Sequence, residues 1–166
     1  MTADVVRLRP PMHRVSSRAV WYWTTRAAVM WIALLVPQVI WWFADSDRRA
    51  LPHLIVAVVW LVLAAVHMVV MPQWRYRVHR WEATDTAVYT QTGWLNQERR
   101  IAPISRVQTV DSERGPIEQL FKLANVTVTT ASAAGPIKID GLAARDADQL
   151  VADLTTRVGQ TTGDAT

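Results

Sequence analysis

Four histidines, His13, His53, His67 and His79, and a scatter of carboxylates are the side chains in this 166-residue sequence that could move protons or hold a metal. Their spacing argues against both. His53 and His67 share one apolar segment but stand fourteen residues apart, about 21 Å along a helix and too far for one ion. Asp111 and Glu113 alternate on an extended run, and Asp146 and Asp148 fall on the polar side of a C-terminal helical pattern. Neither pair gathers a third ligand, so both read as solvated faces. With no cysteine there is no thiolate ligand, thiol nucleophile or disulfide. No Gly-rich phosphate loop, G-x-S-x-G elbow or H-E-x-x-H pair occurs. These residues predict no enzyme, no cofactor and no metal.

Charge points elsewhere. The stretch WRYRV, Trp74 to Val78, alternates large apolar and basic residues directly after an uncharged run, a pattern that predicts a strand. On a strand, Arg75, Arg77 and His79 share one face. Beside an anionic leaflet each basic residue contributes on the order of 1 kcal/mol. Arg75, Arg77 and Arg80, with Arg99 and Arg100 as second contacts, are therefore the candidate lipid-headgroup residues. A second chemistry is strand addition at a sheet edge or beside a helix, for which Trp81, Trp94, Leu95 and Ile104 are the candidate partner-binding contacts.

The formal net charge of +4 sits entirely in residues 1–26, where five arginines face Asp4, while residues 72–166 hold eleven basic and eleven acidic side chains. A neutral globular half argues against nucleic acid as a partner.

Two elements must position these groups. Ala27 to Ala44 and Leu51 to Met71 are charge-free runs of eighteen and twenty-one residues, near the ~20 a helix needs to cross the hydrocarbon core. Neither carries the polar stripe of a soluble helix, and the first exceeds the ~7–15 apolar residues of a secretory signal. Pro37 predicts a kink in the first span. Trp21, Tyr22, Trp23, Trp41, Trp42, Trp74 and Tyr76 flank the spans as an aromatic belt would. The six residues Asp45 to Ala50 make a tight hairpin, and the arginines outside it predict cytoplasmic N- and C-termini. Within the hairpin His67 is expected to make an interhelical hydrogen bond and His53 to sit near the interface. Small residues (Ala27, Ala28, Ala57, Ala64, Ala65) allow close helix packing, so a homo-oligomer or a larger complex is expected.

After Pro72, expected to stop the second helix, residues 72–158 read as about seven short strands. AVYTQTG, ERRIAPI, SRVQTVDS, VTVTT and PIKID carry the extended pattern, and PIEQLFKL inserts two helical turns. In the last segment Leu142, Leu150, Val151, Leu154 and Val158 line one face of an amphipathic helix, and residues 159–166 form a polar, disordered tail. The fold class is α+β: a two-helix transmembrane hairpin, 27–44 and 51–71, then a β-sandwich or open barrel capped by a C-terminal helix, with 1–26 as a basic tail.

The two spans, Pro72, Tyr76, VYTQTGWLNQERRIAPISRVQTV and RGPIEQLFKLANVTVTTAS together resemble the bacterial pleckstrin-homology (PH) family of the YdbS-like, membrane-flanked type. The likeness runs from Arg18 to Val158. It departs at Lys122, where a glycine is common, and at Ala102-Pro103, which precede Ile104 where an Ile-Pro pair is typical. The resemblance implies a PH-like sandwich held on the membrane with a role in binding or assembly. Its implied partners are the lipid bilayer and a larger membrane protein carrying related domains.

Overall fold

The structure, a computed structural model, describes residues 10–45, 50–132 and 135–163. Helix α1 (Arg18–Ala33) continues as α2 (Leu35–Ala44) after a break at Leu34. The cause is Pro37, which has no N–H to offer the carbonyl of Ala33 one turn back. Helix α3 (Ala50–Val78) runs back beside them. The α1–α2 rod and α3 are each long and apolar enough to cross a membrane, and their large apolar side chains from Val29 to Val70 point outward. Inside the pair, the Trp31 indole donates to His67 Nδ1 at 2.9 Å, the interhelical bond expected of His67. His53 is buried between Trp41 and Trp42 and meets Asp45 at 3.0 Å.

Two sheets follow. In the first, β2 (Arg80–Ala83), β3 (Ala87–Thr92) and β4 (Glu98–Pro103) form an antiparallel meander. A 3₁₀ turn at Ile104–Arg106 turns the corner into the second sheet: β5 (Val107–Glu113), β6 (Leu123–Thr130) and β7 (Ile137–Ala143), with the single-turn helix α4 (Pro116–Leu120) between β5 and β6. Helix α5 (Ala144–Gly163) closes the sandwich. Its Ala147, Leu150 and Leu154 are buried against Val88, Ile104, Val126, Val128 and Ile139, with Val151 and Val158 at the margin. The C-terminal stripe read from the sequence packs, except that Leu142, expected on the helix, is a buried residue of β7. The helix also continues past Val158 to Gly163, through part of the expected disordered tail, whose last three residues lie outside the described ones.

Three further sequence expectations fail. WRYRV is helical, because α3 runs through Pro72 to Val78. An internal proline costs a helix about 3 kcal/mol, and here packing offsets it: Ala64, Pro72 and Val78 are buried. His79 then ends the helix by donating its backbone N–H to the Arg75 carbonyl at 2.8 Å. Second, part of the basic tail is structural. His13 and Arg14 form a strand, β1, paired antiparallel with Trp81 and Arg80, so a segment before the hairpin completes the four-stranded sheet after it. Arg7 and Arg9 of the tail, and Arg48 and Arg49 of the hairpin loop, lie outside the described residues. Third, Tyr22 and Trp23 do not belong to an aromatic belt. They are buried with Val15, Ala19 and Leu123 in a second core between α1 and the sandwich, while Trp21 faces outward.

Gly141 explains how closely α1 sits. Its φ of +78° and a virtual Cβ 2.9 Å from Ala19 Cβ leave no room for a side chain. Its carbonyl accepts from Ser16 N–H at 3.0 Å. Lys122, at φ +55°, is left-handed too, a conformation glycine adopts at least cost, which accounts for the glycine that is common at this position.

Candidate functional site

The end of α3 delivers Arg75 and His79, one helical turn apart, into a polar groove of about 410 Å³. Strand β3 contributes Thr90 and Thr92, β4 contributes Glu98 and Arg100, and β7 contributes Lys138 and Asp140. The Arg75 guanidinium lies 4.6 Å over the Trp23 ring, reaches Asp140 at 3.5 Å and donates Nε–H to His79 Nε2 at 3.3 Å. His79 Nδ1 lies 2.9 Å from the Arg75 carbonyl. A neutral imidazole with its proton on Nδ1 satisfies both bonds. Burial, then the neighbouring Arg75 cation, push the His79 pKa down to about 4. This histidine is therefore neutral near pH 7 and held in place by both ring nitrogens.

Of the five candidate headgroup arginines, the fold brings Arg75 and Arg100 together in this groove and leaves the others apart. Arg75 is engaged as described, and Arg100 pairs with Glu98 at 2.6 Å and donates to the Pro136 carbonyl. The face that Arg75, Arg77 and His79 were expected to share does not exist, because the segment is a helix, and Arg77 points to the exposed side. Arg80 reaches the Pro11 carbonyl at 3.5 Å, and Arg99 is exposed on β4.

The candidate partner contacts also divide. Trp81 packs against both cores and stacks near His13 at 5.4 Å, and Ile104 is buried, so these two are packing residues. Strand β1 already occupies part of the β2 edge. Trp94 and Leu95 do remain exposed, Leu95 to 77%. They sit on the β3–β4 turn, where Gly93 adopts φ +111° with the Asn96 carbonyl in the place of a side chain. That turn leans along α3: the Trp94 ring lies 6.0 Å from the ring of His67. His67 is four residues inside the end of the charge-free run, about 6 Å along the helix.

A third arrangement escaped sequence reading altogether. Arg26 Nη1 donates to the Tyr22 hydroxyl at 3.0 Å, Tyr22 donates to Glu118 Oε1 at 2.5 Å, and Asn125 Nδ2 reaches the same oxygen at 3.4 Å. Asn125 Oδ1 accepts from Gly141 N–H at 3.0 Å. This chain ties α1 to α4, β6 and β7. Burial raises the Glu118 pKa, but bonds from Tyr22, a backbone N–H and Asn125, with the Arg26 charge, outweigh it and hold the carboxyl below its usual range. Residues separated by up to 96 positions give no local signal. The Arg26–Tyr22 spacing of four alone was visible.

A helix-capped sandwich of two antiparallel sheets, continuous with two membrane-spanning helices, defines a PH-like membrane protein. The comparisons make this specific. The bacterial PH domain family matches residues 32–158, and the chain belongs to it. It is 32% identical over 110 residues to the UPF0699 transmembrane protein YdbS of Bacillus subtilis (strain 168), across 66% of this chain and 67% of that protein. No solved structure matches.

Proposed function

We propose that the protein is a non-catalytic binding and assembly module, which presents a PH-like sandwich at a fixed height against the cytoplasmic face of a bacterial inner membrane. Its partner is a second copy, or a larger membrane protein with related PH-like domains. The observation that carries this reading is the shared core of hairpin and sandwich: Ala19, Tyr22 and Trp23 of α1 are buried with Leu123 of β6. A domain held in that way does not shuttle between cytosol and membrane. It organises what is already at the surface. The outward apolar faces of α2 and α3 suit the surrounding lipid.

The cysteine-free sequence makes the test direct. A single cysteine at Ile40, on the exposed face of α2, should give one crosslinked species of fixed stoichiometry in native membranes. A chain that stays monomeric at every crosslinker length overturns assembly. For orientation, a reporter active only outside the cytoplasm and fused after Thr166 should stay silent. Activity there would reverse the assigned side.

The position of Trp94 beside His67 favours a second reading, docking on anionic headgroups. In this reading the β3–β4 turn lies at the depth of the bilayer interface, with Leu95 in lipid and Arg77 and Arg99 near phosphate. A fluorophore on Leu95→Cys in nanodiscs should be quenched by spin labels high on the acyl chains. Quenching by aqueous quenchers alone would exclude it.

A further inference from the structure

A second groove, of about 870 Å³, opens on another face of the sandwich, where the entrance to α1, the residues flanking α4 and the start of α5 meet. Arg18, Arg114, Lys122 and Arg145 line it against one carboxylate, Asp146. Residues 72–166 as a whole are balanced, eleven basic to eleven acidic, so this local excess is made by folding and not by composition. Arg114 is held by Asp148 at 2.5 Å and by the Ala144 carbonyl at 3.5 Å. Arg18, Lys122 and Arg145 make no ion pair among the described residues. Ser16, Ser17 and Gln119 add neutral donors. Lys122 holds its place in the left-handed backbone region, at about 1–2 kcal/mol relative to glycine. The first turns of α1 and α5 border the groove and add the positive ends of two helix dipoles.

We propose that this groove binds a phosphate-bearing anion with Arg18, Lys122 and Arg145 as its ligands. The chemistry suits a group of two or more negative charges, since converging cations and hydroxyls favour a compact, multiply charged acceptor. Such a group could come from solution or from a lipid headgroup, and the geometry favours solution. Arg18 opens α1 nine residues before Ala27, where the charge-free run begins, which places the groove about 14 Å along the helix from the hydrocarbon edge. This choice of source rests on the membrane reading, whereas binding itself does not.

The sequence has two lysines, Lys122 in this groove and Lys138 in the other, so one footprint reports both. The full chain in phosphatidylcholine nanodiscs is titrated with pyrophosphate and pulsed with an amine-acetylating reagent. Lys122 should be protected saturably while Lys138 continues to react. By calorimetry, Arg145→Gln should weaken pyrophosphate binding about tenfold, the loss expected of one charge-assisted contact. Lys122→Gly, which relieves the strained backbone and preserves folding, should weaken it similarly. Equal protection of both lysines, or unchanged affinity in the two variants, overturns the site. Protection that requires phosphatidylglycerol nanodiscs and ignores pyrophosphate overturns the soluble source.

Discussion

His79 shows how a side chain that reads as chemistry becomes structure. It is 2% exposed, and its pKa lies near 4, against an ordinary value of 6.5. A histidine whose folded pKa is lowered stabilises the fold fully above its unfolded value. That stability is lost as pH falls from about 6.5 to about 4, with a total of about 3 kcal/mol. Melting temperatures in detergent should therefore drop between pH 7 and pH 4.5. His79→Gln should flatten that dependence, at the cost of a lower melting temperature at pH 7. A steep acid transition that persists in the variant would assign it to other groups. Gly141 is the other decisive residue. Gly141→Ala adds a left-handed alanine and a contact with Ala19, together about 2–4 kcal/mol. It should lower the melting temperature more than alanine at Gly135, whose Cβ would meet nothing within 4 Å.

At the scale of elements, α1 is both a membrane helix and a wall of the soluble domain. Removing the Tyr22 hydroxyl takes a donor from Glu118 and an acceptor from Arg26. Tyr22→Phe should cost about 1–2 kcal/mol and raise hydrogen exchange in α4 and the first residues of β6, with α5 unaffected. Uniform exchange across both sheets would mean that the bond has no local role. Elements also explain what was legible beforehand. The spans could be read because absence of charge over eighteen residues has few other causes. Strands β3 to β7 and the α5 stripe could be read because each sustains one period long enough to identify it. WRYRV could not, since within its five residues the apolar Trp74 and Val78, four apart, also share a helical face. Strand β1, two residues long, is below the length at which any period exists. Of the candidate site, the cations were visible in sequence, but not their sorting into an engaged pair at the α3 end and a separate cluster around Lys122.

For the molecule as a whole, the second core and the β1–β2 pairing cross the boundary drawn at Pro72. A fragment of residues 79–163 lacks β1, Val15, Ala19, Tyr22 and Trp23, and so exposes Leu123 and much of Trp81. It should bind a hydrophobic dye and melt without cooperativity, whereas adding residues 10–26 by a flexible linker should restore a sharp transition. A stable, dye-free fragment would show that the second core is dispensable.

The pairing of Arg14 with Arg80 has a consequence for biogenesis. The two are 66 positions apart, so β1 leaves the ribosome before both helices and must wait for them before it finds its neighbour. If only one of the two helices crosses the bilayer, those strands are left on opposite sides. The sheet then keeps a raw edge open to proteases. Completion of this short ladder therefore requires that both helices have crossed.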